Sequence, residues 1–202
     1  MRKHQGSYHH GNLAESLLDA VEDLASRFGL EAVSLRACAK QIGVSPSSAF
    51  RHYPDKRALL TAFAARAVTQ LTAALDQAAE ENPAFRNIAI AYVKYAIEKP
   101  ALFRAMWRED TLYASDPTYR NATAELTSHL TGGFGDALED ADPDALSDQE
   151  LLAWSTLHGL AVLFIDGPLS QTTDACNRIT LAERVIDQLL PSLQLADPQQ
   201  LE

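Results

Sequence analysis

The sequence predicts an all-α protein of about nine helices. Long segments repeat their apolar residues at three- and four-residue spacing, and capping residues, prolines and glycines bound them. No stretch alternates apolar and polar residues as a half-buried strand would. A chain of 202 residues, 47% hydrophobic and 22% charged, is long enough for a sizeable core and reads as a soluble globular protein.

The first residues, Arg2-Lys3-His4-Gln5-Gly6-Ser7-Tyr8-His9-His10-Gly11, are polar, basic and glycine-containing, a flexible arm able to lie along a phosphate backbone or minor groove. Two adjacent histidines with no third ligand do not suggest a metal site. Asn12 with Glu15 makes a capping box for a first helix whose stripe, Leu13, Leu17, Val21, Leu24 and Phe28, stops at Gly29. Ser34 caps a second helix with Leu35, Cys38, Ala39 and Ile42 on its inner side, and Gly43 ends it. The free amides at that start, with Ser34 and Arg36 beside them, favour a phosphate.

Val44-Ser45-Pro46 then starts a third, short helix. Ser45 can accept from the amide of Ser47 or Ser48, Pro46 takes the first helical position, and Val44 can staple onto Ala49. Ala49 and Tyr53 fall inward, which leaves Ser47, Ser48, Phe50, Arg51 and His52 outward on a face suited to a DNA groove. This is a helix-turn-helix pattern.

The run GVSPSSAFRHYPDKRALL at residues 43–60, preceded by Ser34-Leu35-Arg36, resembles the DNA-binding region of the tetracycline-repressor (TetR) family. That family's usual pattern is G-V-S-x-x-x-L-Y-x-H-F-x-x-K, from which this chain departs with Ala49 for Leu, Phe50 for Tyr and Tyr53 for Phe. Phe50 lacks the hydroxyl that the family's tyrosine usually gives to a phosphate, and Ala49 makes a looser staple. Tyr8-His9-His10-Gly11 also resembles the family's lead-in to its first helix.

The resemblance implies a helix-turn-helix DNA-binding domain over residues 1–56 and a helical ligand-binding and dimerisation domain over residues 57–202. It implies a ligand-responsive transcriptional regulator, repressing in its free form, that binds a palindromic operator on double-stranded DNA as a homodimer. Arg51, Pro46 and Ser47 are expected at base edges, and His10, Ser34, Arg36, His52 and Lys56 at phosphates, with Ser45, Ser48 and Phe50 completing the DNA-facing set.

Asp55 caps a long helix with Leu59, Phe63, Ala67, Leu71 and Leu75 at four-residue spacing, broken at Glu80-Glu81-Asn82-Pro83. At about 1.5 Å per residue it spans roughly 35 Å and is the natural lever between the two ends. Asn82-Pro83, Lys99-Pro100 and Asp116-Pro117 punctuate three further helices, the first and last with a capping residue before the proline. These hold Phe85, Tyr92, Tyr95, Phe103, Met106, Trp107, Tyr113, Tyr119 and His129. Each alone reads as core; together they can line a cavity for a small apolar or aromatic molecule.

Gly132-Gly133 and Gly135 end the third of these helices, and an acidic loop with Pro143 follows. Ser147-x-x-Glu150 is a second capping box, opening a helix whose residues 151–165 carry no Asp, Glu, Lys or Arg and so should be buried on more than one face. Within it Trp154-x-x-x-His158-Gly159 resembles the Trp-His-Gly motif of one group of TetR-family C-terminal domains, while by spacing alone His158 reads as a core or interface histidine. Ser155 and Gly159 allow close backbone approach. After a Ser, Gln and Thr loop, a last helix carries Ile179, Ala182, Val185, Ile186, Leu189 and Leu190 along one side, and two terminal helices with apolar faces suggest a symmetric dimer. By resemblance the ligand lies between the long helix and the Trp154 helix, against Tyr92, Phe103, Met106, Trp107, His129, Trp154 and His158, and displaces the long helix.

The net charge of −10 is uneven: residues 1–57 hold eight Lys/Arg against six Asp/Glu, and the rest nine against twenty-one. A slightly basic end on an acidic body is what a DNA reader that orients itself by repulsion would show. Cys38 and Cys176 form neither a disulfide framework nor a zinc unit. No metal, cofactor or enzyme signature stands out, and no nucleophile has a sharp-turn context. No stretch reaches the ~18 to 20 apolar residues of a membrane span, and Met1-Arg2-Lys3-His4 does not open a signal peptide, so a cytoplasmic protein is expected. The alternative reading is a helical interaction module with no DNA partner.

Overall fold

A computed structural model describes residues 13–132, 147–172 and 174–193. Nine α-helices of seven residues or more, one further helical turn and no strand occur among them. The first is α1 (Leu13–Phe28), and Gly29 closes it at φ +81°, a left-handed conformation that only glycine adopts at no cost, with its N–H on the Ala25 carbonyl at 2.9 Å. A 3₁₀ turn, Leu30–Ala32, leads to α2 (Leu35–Gln41), capped by Ser34 Oγ, which accepts from the Ala37 amide at 3.1 Å. Gly43, at φ +75°, turns the chain into α3 (Pro46–His52), and Ser45 Oγ accepts from the Ser48 amide at 3.2 Å. Leu17, Val21, Val33, Leu35, Cys38, Ala39 and Ala49 form the core of this unit. Burial pushes the Cys38 thiol up to about 11, so it stays protonated as a core residue.

The axis of the molecule is α4 (Lys56–Glu81), 26 residues long and about 39 Å at 1.5 Å per residue. Asp55 caps it through the Ala58 amide at 2.8 Å. On length and composition α4 alone among the described helices could cross a bilayer, which the sequence reading missed. Here its apolar side, with Leu59, Phe63, Leu71 and Leu75, is covered by α5 (Phe85–Glu98), α6 (Pro100–Met106) and α7 (Pro117–Gly132). Last come α8 (Asp148–Ile165), a single helical turn at Leu169–Thr172 and α9 (Ala175–Leu189); α8 and α9 pack on α5.

Two expectations change. Asn82-Pro83 does not open α5: Asn82 is spent closing α4, its N–H on the Ala78 carbonyl, while its Oδ1 takes the Ala84 amide, so the helix starts at Phe85. The capping box at Ser147 and Glu150 forms as read, but α8 is not covered all round. Leu151, Leu152, Val162 and Leu163 stand open to solvent in the single chain, with Val185 of α9. Asn12, the acidic loop and the arm with His10 lie outside the described residues, as does the side chain of His129.

Candidate functional site

The outer surface of α3 presents Pro46, Ser47, Phe50, Arg51 and His52 to solvent, Phe50 at 42% exposure, while Ala49 is fully buried and Tyr53 half-buried. The sequence sorts these faces because Val44, Ala49 and Tyr53 repeat at helical spacing and must meet the α1 and α2 core. Arg36 is exposed at the first turn of α2, beside Ser34.

Three residues of the expected DNA set have structural work of their own: Ser34, the cap of α2, together with Ser45 and Lys56. The Ser45 hydroxyl is taken up by the α3 cap and by the Ser47 and Ser48 hydroxyls, at 2.9 and 2.8 Å. Lys56 turns inward: its Nζ donates to the carbonyls of Leu30 and Glu31, at 3.3 and 3.1 Å, tying α4 to the 3₁₀ turn. Asp55 is held below the usual carboxylate range, first by the Ala58 amide and then by the Tyr113 hydroxyl, which donates to it at 2.8 Å.

In the larger domain, five rings from α5, from α6 with Trp107 just past its end, and from α8 close on one another. His158 stacks on Phe103 (5.6 Å between centroids) and meets Trp107 edge-on (4.8 Å); Trp107 meets Trp154 (5.4 Å), and Tyr92 meets Phe103 (5.6 Å). The Tyr92 hydroxyl lies 3.1 Å from His158 Nδ1. Burial lowers the His158 pKa below its ordinary 6.5, and burial raises that of Tyr92 well above the ordinary tyrosine range. A neutral His158 accepting from a protonated Tyr92 carries its own proton on Nε2.

The expected pocket residues divide between the core and a cleft. Tyr92 and Met106 are 1% and 2% exposed and sit within the core. Besides a hollow of about 440 Å³ between α4 and α5, an open cleft of about 440 Å³ lies between the end of α1 with its 3₁₀ turn and the α6 and α8 helices. Phe103, Trp107 and His158 line it; Tyr92, Met106 and Trp154 do not. Sequence reasoning missed Arg104, Arg108 and Val162 on its walls. The arginines are four apart in an aromatic stretch, a signal present in the sequence; that Glu31 would stand opposite was not legible there. A Cβ on Gly159 would meet nothing within 4 Å, so no close approach among the described residues requires that glycine.

Comparison with known proteins assigns both halves. The model of the bacterial regulatory proteins of the tetR family matches residues 17–63, and that of the Tetracyclin repressor-like, C-terminal domain matches residues 85–189. The uncharacterized HTH-type transcriptional regulator YobS of Bacillus subtilis is 32% identical over 101 residues, 47% of this chain, which spans 51% of YobS. The HTH-type transcriptional repressor KstR of Mycolicibacterium smegmatis is 28% identical over 185 residues, 84% of each chain. A protein of unknown function from Rhodococcus sp. RHA1 superposes with a TM-score of 0.70 at 29% identity, over 90% of this chain and 97% of that one.

Proposed function

Because the chain belongs to the TetR family of bacterial regulators, we propose that it is a dimeric, cytoplasmic repressor that grips a palindromic operator through the α3 helices of two subunits and lets go when a small organic ligand binds. The observation that carries this reading is the outward face of α3, where Ser47, Phe50, Arg51 and His52 stand exposed on a helix whose opposite side is anchored by Ala49. Arg51 is the base reader, with Pro46 and Ser47 beside it. Ser34, Arg36 and His52, with His10 of the arm, hold phosphates, Phe50 adds apolar contact, and Ser45, Ser48 and Lys56 shape the surface from beneath. KstR carries the name of a repressor, which supports that sign of control.

The second subunit supplies what α8 lacks. Leu151, Leu152 and Leu163 with Val185 form the exposed apolar face that a two-fold copy would cover, and Val162 stands at its border with the cleft. The two α3 helices must then lie ~34 to 36 Å apart to enter successive major grooves. Trp154 and His158, stacked with ring centroids 6.4 Å apart and followed by Gly159, support membership of the larger domain in the Trp-His-Gly group, with His158 in the wall of the ligand site. Residues 1–56 act as the DNA reader and residues 57–202 as the sensor.

The test is an electrophoretic shift with the DNA upstream of the protein's own gene. The expected result is a retarded complex that Arg51→Ala makes less selective between operator and random DNA. No retardation at any concentration up to that giving non-specific binding refutes the reading and favours the interaction module.

A further inference from the structure

The cleft joins the two domains across an ion pair. On its body side Phe103, Trp107, His158 and Val162 make an apolar wall, and Arg104 and Arg108 stand at the edge. On the other side is the 3₁₀ turn, with Glu31. Arg104 is fixed within the body, on Asp166 at 2.7 Å and the Ile165 carbonyl at 2.8 Å. Arg108 instead reaches across: its Nη2 donates to Glu31 Oε1 at 3.1 Å, and its Nε to Asp110 at 3.4 Å.

Glu31 is a weak occupant of that position. Its side chain is 81% exposed, so its pairing with Arg108 competes with water and salt. A carboxylate that brought an apolar body would present the same two oxygens to the same guanidinium and also cover the aromatic wall, a gain Glu31 does not have. The buried indole N–H of Trp107 meets no acceptor among the described residues.

Resting on the ligand-responsive reading above, we propose that the cleft binds an organic carboxylate with an aromatic or apolar body, and that the carboxylate takes Arg108 from Glu31. The ligand thereby opens the ion pair that bridges the cleft. Glu31 lies three residues before Ser34, the cap of α2, so its release is passed to the element bearing Arg36. Control then enters the DNA reader from the side as well as along α4.

Of the two tryptophans of the chain, Trp107 sits in the wall and Trp154 packs on it with ring centroids 5.4 Å apart, so the pair reports occupancy by fluorescence. The full-length protein is titrated with three molecules of one shape: 4-phenylbutyrate, 4-phenylbutan-1-ol and 4-phenylbutylamine. The expected result is saturable quenching by the carboxylate with a Kd at least tenfold below those of the alcohol and amine. Arg108→Gln should erase that preference, and Glu31→Gln, which removes the internal competitor, should tighten carboxylate binding severalfold. Glu31→Gln distinguishes displacement from general attraction to arginine. Equal binding of the three, tighter binding of the amine, no saturable quenching, or a Glu31→Gln variant that binds no more tightly overturns the proposal. Operator retardation by the unliganded protein is read in parallel: if retained while quenching fails, the cleft proposal alone falls, and if absent while the carboxylate binds, the regulator reading falls.

Discussion

Lys56→Ala separates two jobs for one lysine. In the family-like pattern it is a phosphate contact; in the structure its ammonium bridges the carbonyls of Leu30 and Glu31. A hydrogen bond from a charged donor contributes roughly 1.5–3 kcal/mol when well formed. Here one of the two is long, Leu30 O keeps the Val33 amide as a second partner, and Glu31 O can turn to water. Freeing the long side chain recovers up to about 2 kcal/mol of entropy. The net loss comes to about 1 kcal/mol, or roughly 2–4 °C in Tm for a chain of this size. A structural Lys56 therefore lowers Tm by that amount and leaves the salt dependence of operator binding unchanged. A phosphate-bound Lys56 does the reverse: Tm holds, and the slope of log K against log salt falls by about 0.9 per contact, about 1.8 for two subunits. Thermal denaturation and operator anisotropy at four salt concentrations decide it. An unchanged Tm with the smaller slope would refute the assignment of Lys56 to the turn.

Gly167→Ala should cost roughly 1–3 kcal/mol, because the new Cβ would stand 2.7 Å from Leu163 Cα and 2.8 Å from its carbonyl oxygen; an unchanged melting curve would contradict the tight end of α8. Leu163→Arg, placed on the exposed face of α8, should turn dimer into monomer in sedimentation and abolish operator retardation, and a dimeric variant would put the interface elsewhere. The lowered pKa of His158 means that the folded chain binds fewer protons than the unfolded one just below pH 6.5, so stability falls as pH drops from 6.5 toward the folded value. Melts between pH 5 and 8 should show that decline, and His158→Phe should flatten it. Arg51→Ala should reduce the ratio of operator to random-DNA affinity about tenfold or more, at ~1–3 kcal/mol for a bidentate base contact; equal loss on both would move Arg51 to the backbone.

The helices were legible wherever a local signal fixed them. Ser34, Ser45, Asp55 and the Ser147–Glu150 box each capped the helix the sequence assigned them, because a cap is a bond between residues two or three apart. Asn82-Pro83 misled because the same asparagine can end one helix or begin the next, and the demand of α4 prevailed. Within the larger domain Tyr92, Phe103, Trp107, Trp154 and His158 gather, but which side of the cluster is open was not legible. That depends on Glu31 and Arg108, 77 residues apart, and no periodicity reports such a distance.

The 3₁₀ turn at Leu30–Ala32 shows why that distance matters. Three residues joining α1 to the cap of α2 would ordinarily be an inert connection, yet two cations from different helical contexts converge on them. Lys56 holds the backbone from the first turn of α4, and Arg108 holds the Glu31 side chain from beyond α6. The first contact moves with the long helix; the second moves with the wall of the cleft. A shift of either one changes the position of the turn relative to the other, and α2 follows because Ser34 and the buried Val33 leave no slack between them. If the turn is this junction, removing both cations together should weaken operator binding by the unliganded protein more than the sum of the single losses, since each single variant leaves one hold in place. Strict additivity in that double-mutant cycle would mean that the two domains communicate along α4 alone.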